Sequence, residues 1–504
     1  MTARRQFLSL MAAGLAAPFI GRPVLAATAG RPLPIPDLVE PGSGRTELAA
    51  LAGLAGIAEG GKTPVLGFSR PYLGPTLRLR RGQVAELAVA NRLEEPVTCH
   101  WHGLHVPAVL EGGPALQIGP GQTWNVSLPV DQPAATLWYH SHIHRRTADH
   151  VYYGLAGLLL IDDPAAGDEG LPVTYGVDDL PLIIQDRAFE ADGSFFYLKR
   201  GPALTHGYLG NVILVNGAIA PTAGVPAGLV RLRLLNGSNA RIYDLRFSDD
   251  RIFYQIASDG GLLQRPVART GITLAPGERG EFLVDFSDRS AVALLGASSR
   301  NLPPSGGMMR EMSRYLLRHP PQSQHGEWGE FDVVHFAPDP SLPVRVRALP
   351  SALASAPGPL DLPPVRNRSF KFDIFRSGSG TGPGTRTGAS LHKMSFMGIN
   401  DVAFDDTIIN HRLRQGEAEI WTIRAPIMAH PFHVHGLSFQ VLSRNGDPVD
   451  FATEGLKDVT LVRGTTEILL APMHPASDAV PFMYHCHILE HEDSGMMGQF
   501  TVTA

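Results

Sequence analysis

Four short His-x-His units hold eight of the 20 histidines in this 504-residue chain. A single histidine is more often structural or exposed than a metal ligand, but paired histidines inside related segments are a different signal. Alternate residues of a β-strand share one face, so each pair could turn both imidazole rings into one cavity. Imidazole nitrogen is a good ligand for copper and similar ions. We therefore predict a metal centre built from His100, His102, His140, His142, His433, His435, His485 and His487.

The segment Tyr484–Met497, with the sequence YHCHILEHEDSGMM, adds a second kind of ligand. Cys486 lies between two of the paired histidines, and His491 and Met496 follow it closely. Two imidazoles, one thiolate and a distant thioether describe a blue-copper electron-transfer site. With His430 as the second imidazole, we predict a trigonal copper site that has Met496 as its long axial ligand. Zinc would instead require four firm ligands.

A repeated strand pattern shows which elements must position these ligands. The pattern is an apolar start, a glycine turn and an alternating strand. It recurs as IGPGQTWNVSL, LAPGERGEFLV and LVRGTTEIL, around Gly121, Gly277 and Gly464. Repeats of this spacing, together with 54 glycines and 42 prolines, predict an all-β chain built from three copies of one domain. We place these domains at residues 45–165, 172–337 and 365–504.

The histidine motifs fall in the first and third copies of the repeat. CHWHG and WYHSH belong to the first copy, and HPFHVHG and MYHCH belong to the third copy. The matching positions of the middle copy contain no histidine. We therefore expect the chemistry in the first and third domains, with the middle domain as a spacer.

Together, HWHG, HSH, HPFHVHG and HCHILEHEDSGMM resemble the four copper signatures of the multicopper oxidases. The resemblance extends over the whole mature chain and implies three cupredoxin-like Greek-key β-sandwich domains. It implies a type 1 copper in the third domain and a type 2 copper held by His100 and His433. It further implies a trinuclear cluster between domains one and three, so that each chain holds four copper ions. The remaining six paired histidines would hold the type 3 pair.

This resemblance also implies a copper-dependent oxidase that uses O₂ as its electron acceptor. One-electron oxidations at the type 1 site would be coupled to the four-electron reduction of O₂ to water, as in a laccase. Family members keep an acidic residue after the first signature, and Glu111 occupies that place. Glu492 is a second candidate proton donor, because a carboxyl group near copper and water can relay protons. Either acid could instead be a solvated turn residue.

The electron donor stays open between phenolic or other aromatic compounds and Cu(I). An axial methionine indicates a modest potential and therefore an easily oxidised donor. Thioethers prefer Cu(I), although methionines more often fill cores. Against Cu(I), Pro426 stands where cuprous oxidases tend to have an acid, and segment 377–387 lacks their Met- and His-rich insert. The methionines whose role is open are Met308, Met309, Met312, Met394, Met397 and Met428.

Three other protein classes compete with an oxidase. Some exported cupredoxin-repeat proteins have lost copper and act in envelope assembly or cell division, but the complete ligand set argues against that class. A copper nitrite reductase would lack the paired HSH and HCH motifs of a coupled cluster. A copper carrier would have no need of a buried coupled site.

Residues 1–26 predict an export signal. Arg4 and Arg5 precede an apolar run that is too short to span a bilayer, and Val24–Ala26 supplies a small-residue cleavage pattern. The paired arginines resemble a twin-arginine signal, with an ordinary secretory signal as the alternative. We predict a periplasmic monomer without a membrane span. Its formal net charge of −5 does not indicate a nucleic-acid surface.

Overall fold

The structure is a computed structural model that describes residues 30–42, 44–58, 61–165, 170–199, 206–298, 329–376 and 395–504. Residues Arg31–Ala504 form one compact unit. The predicted export signal lies outside the described residues. Within the described part of the chain, no helix is long and apolar enough to cross a membrane.

The first domain, defined here by the strands between residues 38 and 162, contains two sheets. Its elements are β1 (Leu38–Val39), β2 (Thr46–Ala55), β3 (Thr63–Phe68), β4 (Thr76–Arg80), β5 (Val84–Asn91), β6 (His100–His102), α1 (Ala108–Glu111), β7 (Thr123–Pro129), β8 (Ala135–His140), α2 (Thr147–Tyr153) and β9 (Ala156–Asp162). One sheet has the order β1-β4-β9-β8-β6, and the other has the order β3-β2-β5-β7. Apolar and polar residues alternate along these strands, so that one face of each sheet is buried. In β4, which reads TLRLR, Leu77 and Leu79 are fully buried and Arg80 is exposed.

The middle domain, defined by the strands between residues 179 and 338, also has two sheets. Its elements are β10 (Asp179–Phe189), β11 (Phe195–Phe196), β12 (Val212–Val215), β13 (Ala218–Ile219), β14 (Thr222–Val225), β15 (Leu229–Asn236), β16 (Tyr243–Phe247), β17 (Phe253–Ser258), β18 (Gly261–Arg269), β19 (Ile272–Leu274), β20 (Arg279–Asp285), β21 (Val292–Ser298) and β22 (Glu330–Pro338). One sheet runs β13-β12-β10-β15-β20-β17-β18, with β11 on β10. The other sheet runs β14-β22-β21-β16-β19.

The third domain, defined by the strands between residues 364 and 503, forms one 10-stranded sheet. Its elements are β23 (Pro364–Arg376), β24 (Ser395–Ile399), β25 (His411–Arg414), β26 (Ala418–Val434), β27 (Phe439–Arg444), β28 (Asp447–Pro448), α3 (Phe451–Glu454), β29 (Leu456–Lys457), β30 (Val459–Leu470), β31 (Phe482–Cys486), α4 (Leu489–Asp493) and β32 (Met497–Thr503). The main path is β25-β32-β31-β26-β30-β27-β28, with β23, β24 and β29 attached to it. The long strand β26 pairs with β23 near its start and with β31 near its end.

This architecture confirms the predicted all-β, cupredoxin-like fold class. The glycines of the three repeats have φ angles of 71°, 81° and 84°, at Gly121, Gly277 and Gly464. These values lie in the left-handed region, which glycine adopts without steric cost. The domain boundaries 45–165, 172–337 and 365–504 stay a prediction, because the described residues pack as a single unit.

Candidate metal centre

Each of the outer two domains brings its two His-x-His units together on neighbouring strands. In the first domain, His100 of β6 lies opposite His140 of β8. In the third domain, His433 of β26 lies opposite His485 of β31. Trp101, between two ligands, packs into the core of the first domain instead, as the alternation of a strand requires. All eight paired histidines are buried.

His142, His435 and His485 form a first group of three. Nε2 of His485 is 3.3 Å from Nε2 of His142 and 3.2 Å from Nε2 of His435. On the outer side, the Glu492 carboxylate lies 3.3 Å from Nδ1 of His142 and 3.2 Å from Nδ1 of His485. Nδ1 of His435 is 2.9 Å from the carboxylate of Glu111. The hydrogen bond from Nδ1 of His435 to Glu111 fixes one ring, and the bond from Nδ1 of His485 to the carbonyl oxygen of Cys486, at 3.0 Å, fixes another. Three Nε2 atoms then face one another.

His102, His140 and His487 form a second group, with ligand atoms within 4.8 Å of one another. Nε2 of His102 donates to Oδ1 of Asp458 at 3.1 Å, and Nδ1 of His140 donates to the carbonyl oxygen of Ser141 at 3.0 Å. Nδ1 of His102, Nε2 of His140 and both ring nitrogens of His487 have no hydrogen-bond partner. This second group therefore also presents free nitrogens to a common centre.

His100 and His433 lie beside the two groups. Together with His102, they place three ligand atoms within 4.8 Å of one another. Nδ1 of His433 donates to the carbonyl oxygen of Asp458 at 2.8 Å, which leaves Nε2 free. The ring of His100 stacks on that of His435 at 4.1 Å, and neither of its nitrogens has a hydrogen-bond partner. The structure therefore brings all eight predicted cluster ligands into one cavity.

The chemistry of this cavity fits copper. Burial lowers the pKa of His140 to about 3 and that of His485 to about 4, so the imidazoles are neutral at pH 7. Buried polar atoms without partners are costly and rare in folded proteins. A metal ion would satisfy the free nitrogens, and imidazole ligands with carboxylates behind them suit copper well.

His430, Cys486 and His491 form a separate triangle. Nδ1 of His430 is 3.4 Å from Sγ of Cys486, and Nδ1 of His491 is 3.6 Å from the same sulfur. The two nitrogens are 3.3 Å apart. The centre of such a triangle lies about 2 Å from each corner, which is close to ordinary metal–nitrogen and metal–sulfur bond lengths. Because burial raises the pKa of the Cys486 thiol, a metal must displace its proton to bind the thiolate.

Met496 lies close to this triangle. It is fully buried in the same hydrophobic cluster as Cys486. Its backbone N–H donates to the carbonyl oxygen of His491 at 2.9 Å, and its carbonyl oxygen accepts from the N–H of Cys486 at 3.0 Å. These bonds hold Met496 beside the predicted trigonal site, and its role as axial ligand stays a prediction.

Three consecutive residues connect the two centres. Cys486 belongs to the triangle, His485 belongs to the first group and His487 belongs to the second group. The two centres are therefore joined through two peptide bonds. This is the shortest covalent route that a chain offers between a thiolate site and an imidazole cluster.

Asp458 is a residue of the site that the sequence analysis did not predict. It precedes β30 in GLKDVTL and is fully buried, and its side chain and carbonyl oxygen contact His102 and His433. A Lys-Asp pair before an apolar strand is typical of an exposed turn. The signal that could have identified Asp458 is its position one residue before a strand that pairs with the histidine strand β26.

Several further histidines and methionines lie outside the ligand groups. Among the described residues, His105 bonds to Ser438 and His144 packs against Phe404, so neither belongs to the groups. Met397 is fully buried in the core of the third domain, and Met428 is partly buried against that core. Met308, Met309, Met312 and Met394 lie outside the described residues, as does segment 377–387.

Comparisons with protein families give two matches on this chain. Sequence profiles described as multicopper oxidase match residues 55–166 and 381–504. Cell division protein FtsP of Edwardsiella tarda is 37% identical over 502 residues, which is 99% of this chain and 98% of that protein. FtsP of Yersinia pestis is 36% identical with the same coverage.

Solved structures give a second comparison. A laccase-like multicopper oxidase, CueO, from the lignin-degrading bacterium Ochrobactrum sp. is 36% identical, with a TM-score of 0.80 over 94% of this chain and 100% of that chain. It is described as having oxidase activity towards lignin model compounds and lignosulfonate. The multicopper oxidase McoA from Aquifex aeolicus is 29% identical, with a TM-score of 0.77 and the same coverage.

Proposed function

Because this chain belongs to the multicopper oxidase family, we propose that it oxidises small electron donors and reduces O₂ to water. The observation that carries this proposal is the covalent link through Cys486 between a buried thiolate triangle and a cavity of eight buried imidazoles. A protein that only carried or stored copper would not need two such centres joined in this way. For phenols the balanced reaction is four ArOH plus O₂, giving four ArO• radicals plus two H₂O.

The ligand groups indicate how four copper ions would be held. The triangle with Met496 would hold the type 1 ion, and His100 with His433 would hold the type 2 ion. The two groups of three histidines would hold the type 3 pair. When bound, copper supplies one-electron exchange at the triangle and binding and reduction of O₂ at the cluster.

The backbone beside His430 supports a donor surface. The pairing of β26 with β30 shifts register between Ala425 and His430, so four residues bulge out of the strand just before the ligand. In this bulge, Ile427 is 50% exposed. An exposed apolar side chain close to a predicted type 1 ligand suits an aromatic donor, which needs apolar contact and a short distance to the imidazole.

Glu111 and Glu492 are the proposed proton carriers. Burial raises the pKa of both carboxyl groups, which favours the protonated form that a proton donor needs. Glu492 contacts Nδ1 of two cluster histidines, and Glu111 contacts Nδ1 of a third. One imidazole ring thus separates each carboxyl group from the place where oxygen would take up protons.

A phenolic or other aromatic donor is the first candidate substrate. It is supported by Ile427 beside the site, by Pro426 in place of an acid and by the activity described for the Ochrobactrum relative. Cu(I) is the alternative, supported by Met428 two residues before His430. That reaction consumes four Cu⁺, O₂ and four H⁺ and yields four Cu²⁺ and two H₂O.

A structural role in cell division is a second candidate function. It is supported by relatives named cell division protein FtsP, which match this chain at 34–37% identity over nearly its whole length. The complete buried ligand set of this chain favours the oxidase. A periplasmic location, export by the twin-arginine route and a monomeric state are part of the same proposal.

Oxygen uptake by copper-loaded protein tests the oxidase, with a methoxyphenol and Cu(I) as separate donors at equal concentrations. We expect turnover with the methoxyphenol and a larger specificity constant for it than for Cu(I). The reverse preference would make this a cuprous oxidase. No uptake with either donor at full copper occupancy would contradict the proposal and favour the structural role.

Two cysteine variants complete the test. Cys486→Ser removes the thiolate, so the visible Cu(II)–thiolate absorption and oxygen uptake with any donor should disappear. Cys99→Ser is the matched control, because Cys99 is an equally buried free cysteine in the core of the first domain. It should retain both the absorption and the activity.

A further inference from the structure

Arg279, at the start of β20 in the middle domain, lies where all three domains meet. It is buried, and a guanidinium has five N–H donors. Nε donates to the carbonyl oxygen of Thr136 at 3.1 Å in the first domain. Nη1 and Nη2 each donate to one oxygen of Asp458 at 2.6 Å in the third domain. The last two donors reach the carbonyl oxygens of Gly277 and Asp259 in the middle domain, at 3.1 and 3.2 Å.

Asp458, which accepts hydrogen bonds from Arg279, also accepts hydrogen bonds from two predicted ligands. Its Oδ1 accepts from Nε2 of His102 at 3.1 Å. Its carbonyl oxygen accepts from Nδ1 of His433 at 2.8 Å. These two hydrogen bonds decide which nitrogen of each ring is left for a metal: Nδ1 of His102 and Nε2 of His433.

The charges around Asp458 show why it depends on Arg279. Asp259 lies close by and is equally buried, and Nη1 of Arg279 is 3.5 Å from its Oδ1. The ammonium group of Lys457 lies 3.1 Å from Asp259 and 3.1 Å from Glu278, not on Asp458. Without Arg279, the buried carboxylate of Asp458 would have no arginine or lysine of the described residues in contact, while the carboxylate of Asp259 lies close by. The Asp458 side chain would then turn away, which alters its bond to His102.

A second contact connects the segment just before Arg279 to the cluster. Gly277, two residues before Arg279, has a φ of 81° and packs directly against His487. A Cβ atom at Gly277 would lie 2.9 Å from that ring. This segment therefore touches His487 directly and reaches two further cluster ligands, His102 and His433, through Asp458.

We propose that Arg279 is a positioning residue of the metal cluster. By fixing Asp458 with both arms of its guanidinium, it sets the orientation of His102 and His433 across the interface of the outer domains. The middle domain, whose described residues include none of the predicted ligands, thereby determines the geometry of the site. The inference rests on the proposed function in that it takes copper as the resident metal. Partners of this kind change metal affinity about 10–100-fold in other metal sites.

Arg279→Gln tests the proposal, with Arg233→Gln as the matched control. Arg233 is also buried in the middle domain, pairs with both oxygens of Asp179 at 2.7 and 3.0 Å, and reaches Thr136 of the first domain. Unlike Asp458, the partner of Arg279, the side chains that Arg233 binds have no hydrogen bond to a cluster histidine among the described residues. Both variants lose a buried ion pair, so both should lose thermal stability.

The distinguishing readout is copper retained against a competing chelator, followed by spectroscopy. We expect Arg279→Gln to hold cluster copper about 10–100-fold more weakly, with an altered type 2 signal in electron paramagnetic resonance. Its Cu(II)–thiolate absorption should persist. Arg233→Gln should keep the copper affinity of the cluster, the type 2 signal and the Cu(II)–thiolate absorption of the wild type. Equal retention of cluster copper by the two variants would overturn the proposal.

If Arg279→Gln does not fold, Arg279→Lys replaces it, with Arg233→Lys as control. Lysine keeps the charge but cannot hold both oxygens of Asp458, so the same difference in copper retention is expected. Crystal structures of the copper-free proteins add an independent readout. Reorientation of His102 against His433 supports the proposal, and unchanged rings overturn it. A wild-type protein that binds no copper would defeat the proposed function alone, because these structures would still decide the role of Arg279.

Discussion

The imidazole rings of His102 and His433 stack with their centroids 3.8 Å apart and their planes 9° apart, although they belong to different domains. Asp458 accepts a hydrogen bond from each of them. Parallel rings at this distance leave little room for movement between the first and third domains. The metal site and the domain interface are therefore one structural unit, and changes to either should be visible in the other.

Glu492→Gln should slow oxygen uptake by about 10²-fold, because general acid catalysis typically contributes that much or more. The amide keeps the shape of the side chain but cannot supply a proton. Copper content should stay full, and the pH dependence of turnover should flatten. Glu111→Gln should show the same effect. Oxygen uptake and copper content would be measured side by side from pH 5 to pH 8.

Glu490→Gln is the control for this prediction. Glu490 is equally buried in α4, but its carboxylate accepts from Tyr197 at 2.6 Å and from Asn239 at 2.9 Å, not from a ligand histidine. It should leave the pH profile unchanged. Unaltered turnover in both Glu492→Gln and Glu111→Gln would show that protons reach the oxygen site by another route.

Gly277→Ala should disturb the cluster, whereas Gly121→Ala should not. Both positions have left-handed backbone, so both alanines cost roughly 1 kcal/mol of stability. At Gly277 the new methyl group meets the His487 ring at 2.9 Å, and at Gly121 nothing lies within 4 Å. We expect about tenfold weaker cluster copper binding in Gly277→Ala alone, measured by chelator competition. Similar copper binding in both variants would mean that His487 tolerates the shift.

Met496→Leu should raise the reduction potential of the type 1 site. Thioethers prefer Cu(I) when compared with harder ligands, but any additional axial donor stabilises Cu(II) more than Cu(I). Removing the donor therefore favours Cu(I), and the axial ligand is a recognised determinant of this potential. Met497→Leu is the control, since Met497 is also buried but does not belong to the hydrophobic cluster that contains Cys486 and Met496. Redox titration of the visible absorption measures both. An unchanged potential in Met496→Leu would remove this residue as axial ligand.

The copper-free protein should lose stability as the pH falls below 6.5. Burial lowers the pKa of nine predicted ligand histidines, to about 3 for His140 and about 4 for His485. Unfolded histidines take up protons below about 6.5, so stability is fully present above that pH and falls towards the folded values. Each protonating histidine contributes about 1.4 kcal/mol per pH unit there.

Six buried acids act in the opposite direction. Burial raises the pKa of Glu111, Glu278, Asp458, Glu490, Glu492 and Asp493, so the folded protein also gains protons as the pH falls. The histidines outnumber them, and the net slope should follow the histidines. Denaturant titrations at pH 7.5, 6.5 and 5.5 would measure the free energy of unfolding. Equal values at pH 7.5 and 5.5 would show that the rings are not held neutral.

The sequence predicted which histidines lie together, because strand geometry translates spacing into position. Residues two positions apart on a strand lie on the same face of the sheet, so His100 and His102 could be paired without knowledge of the fold. Asp458 and Arg279 could not be predicted in this way. They lie 179 residues apart, and each looks like an exposed turn residue in its own segment. Their contact depends on how three domains pack, which no local pattern records.

The third domain differs from the other two in how its strands are connected. Its strands form one continuous 10-stranded sheet, because β26 is 17 residues long and pairs with β23 near its start and β31 near its end. The register shift between Ala425 and His430 lies between these two parts. Hydrophobic alternation predicts that a segment is a strand, but it does not show where a long strand changes its partner.

The pairing of His433 with His485 across β26 and β31 also has a consequence for misfolding. Side chains alternate along a strand, so a slip of β31 by one residue would turn His485 into the apolar core and send Tyr484 into the cavity. A chain trapped in such an arrangement would offer an incomplete set of nitrogens to an incoming ion. Metal binding would then stabilise only the correctly paired molecules, and the mispaired ones would stay open to proteolysis.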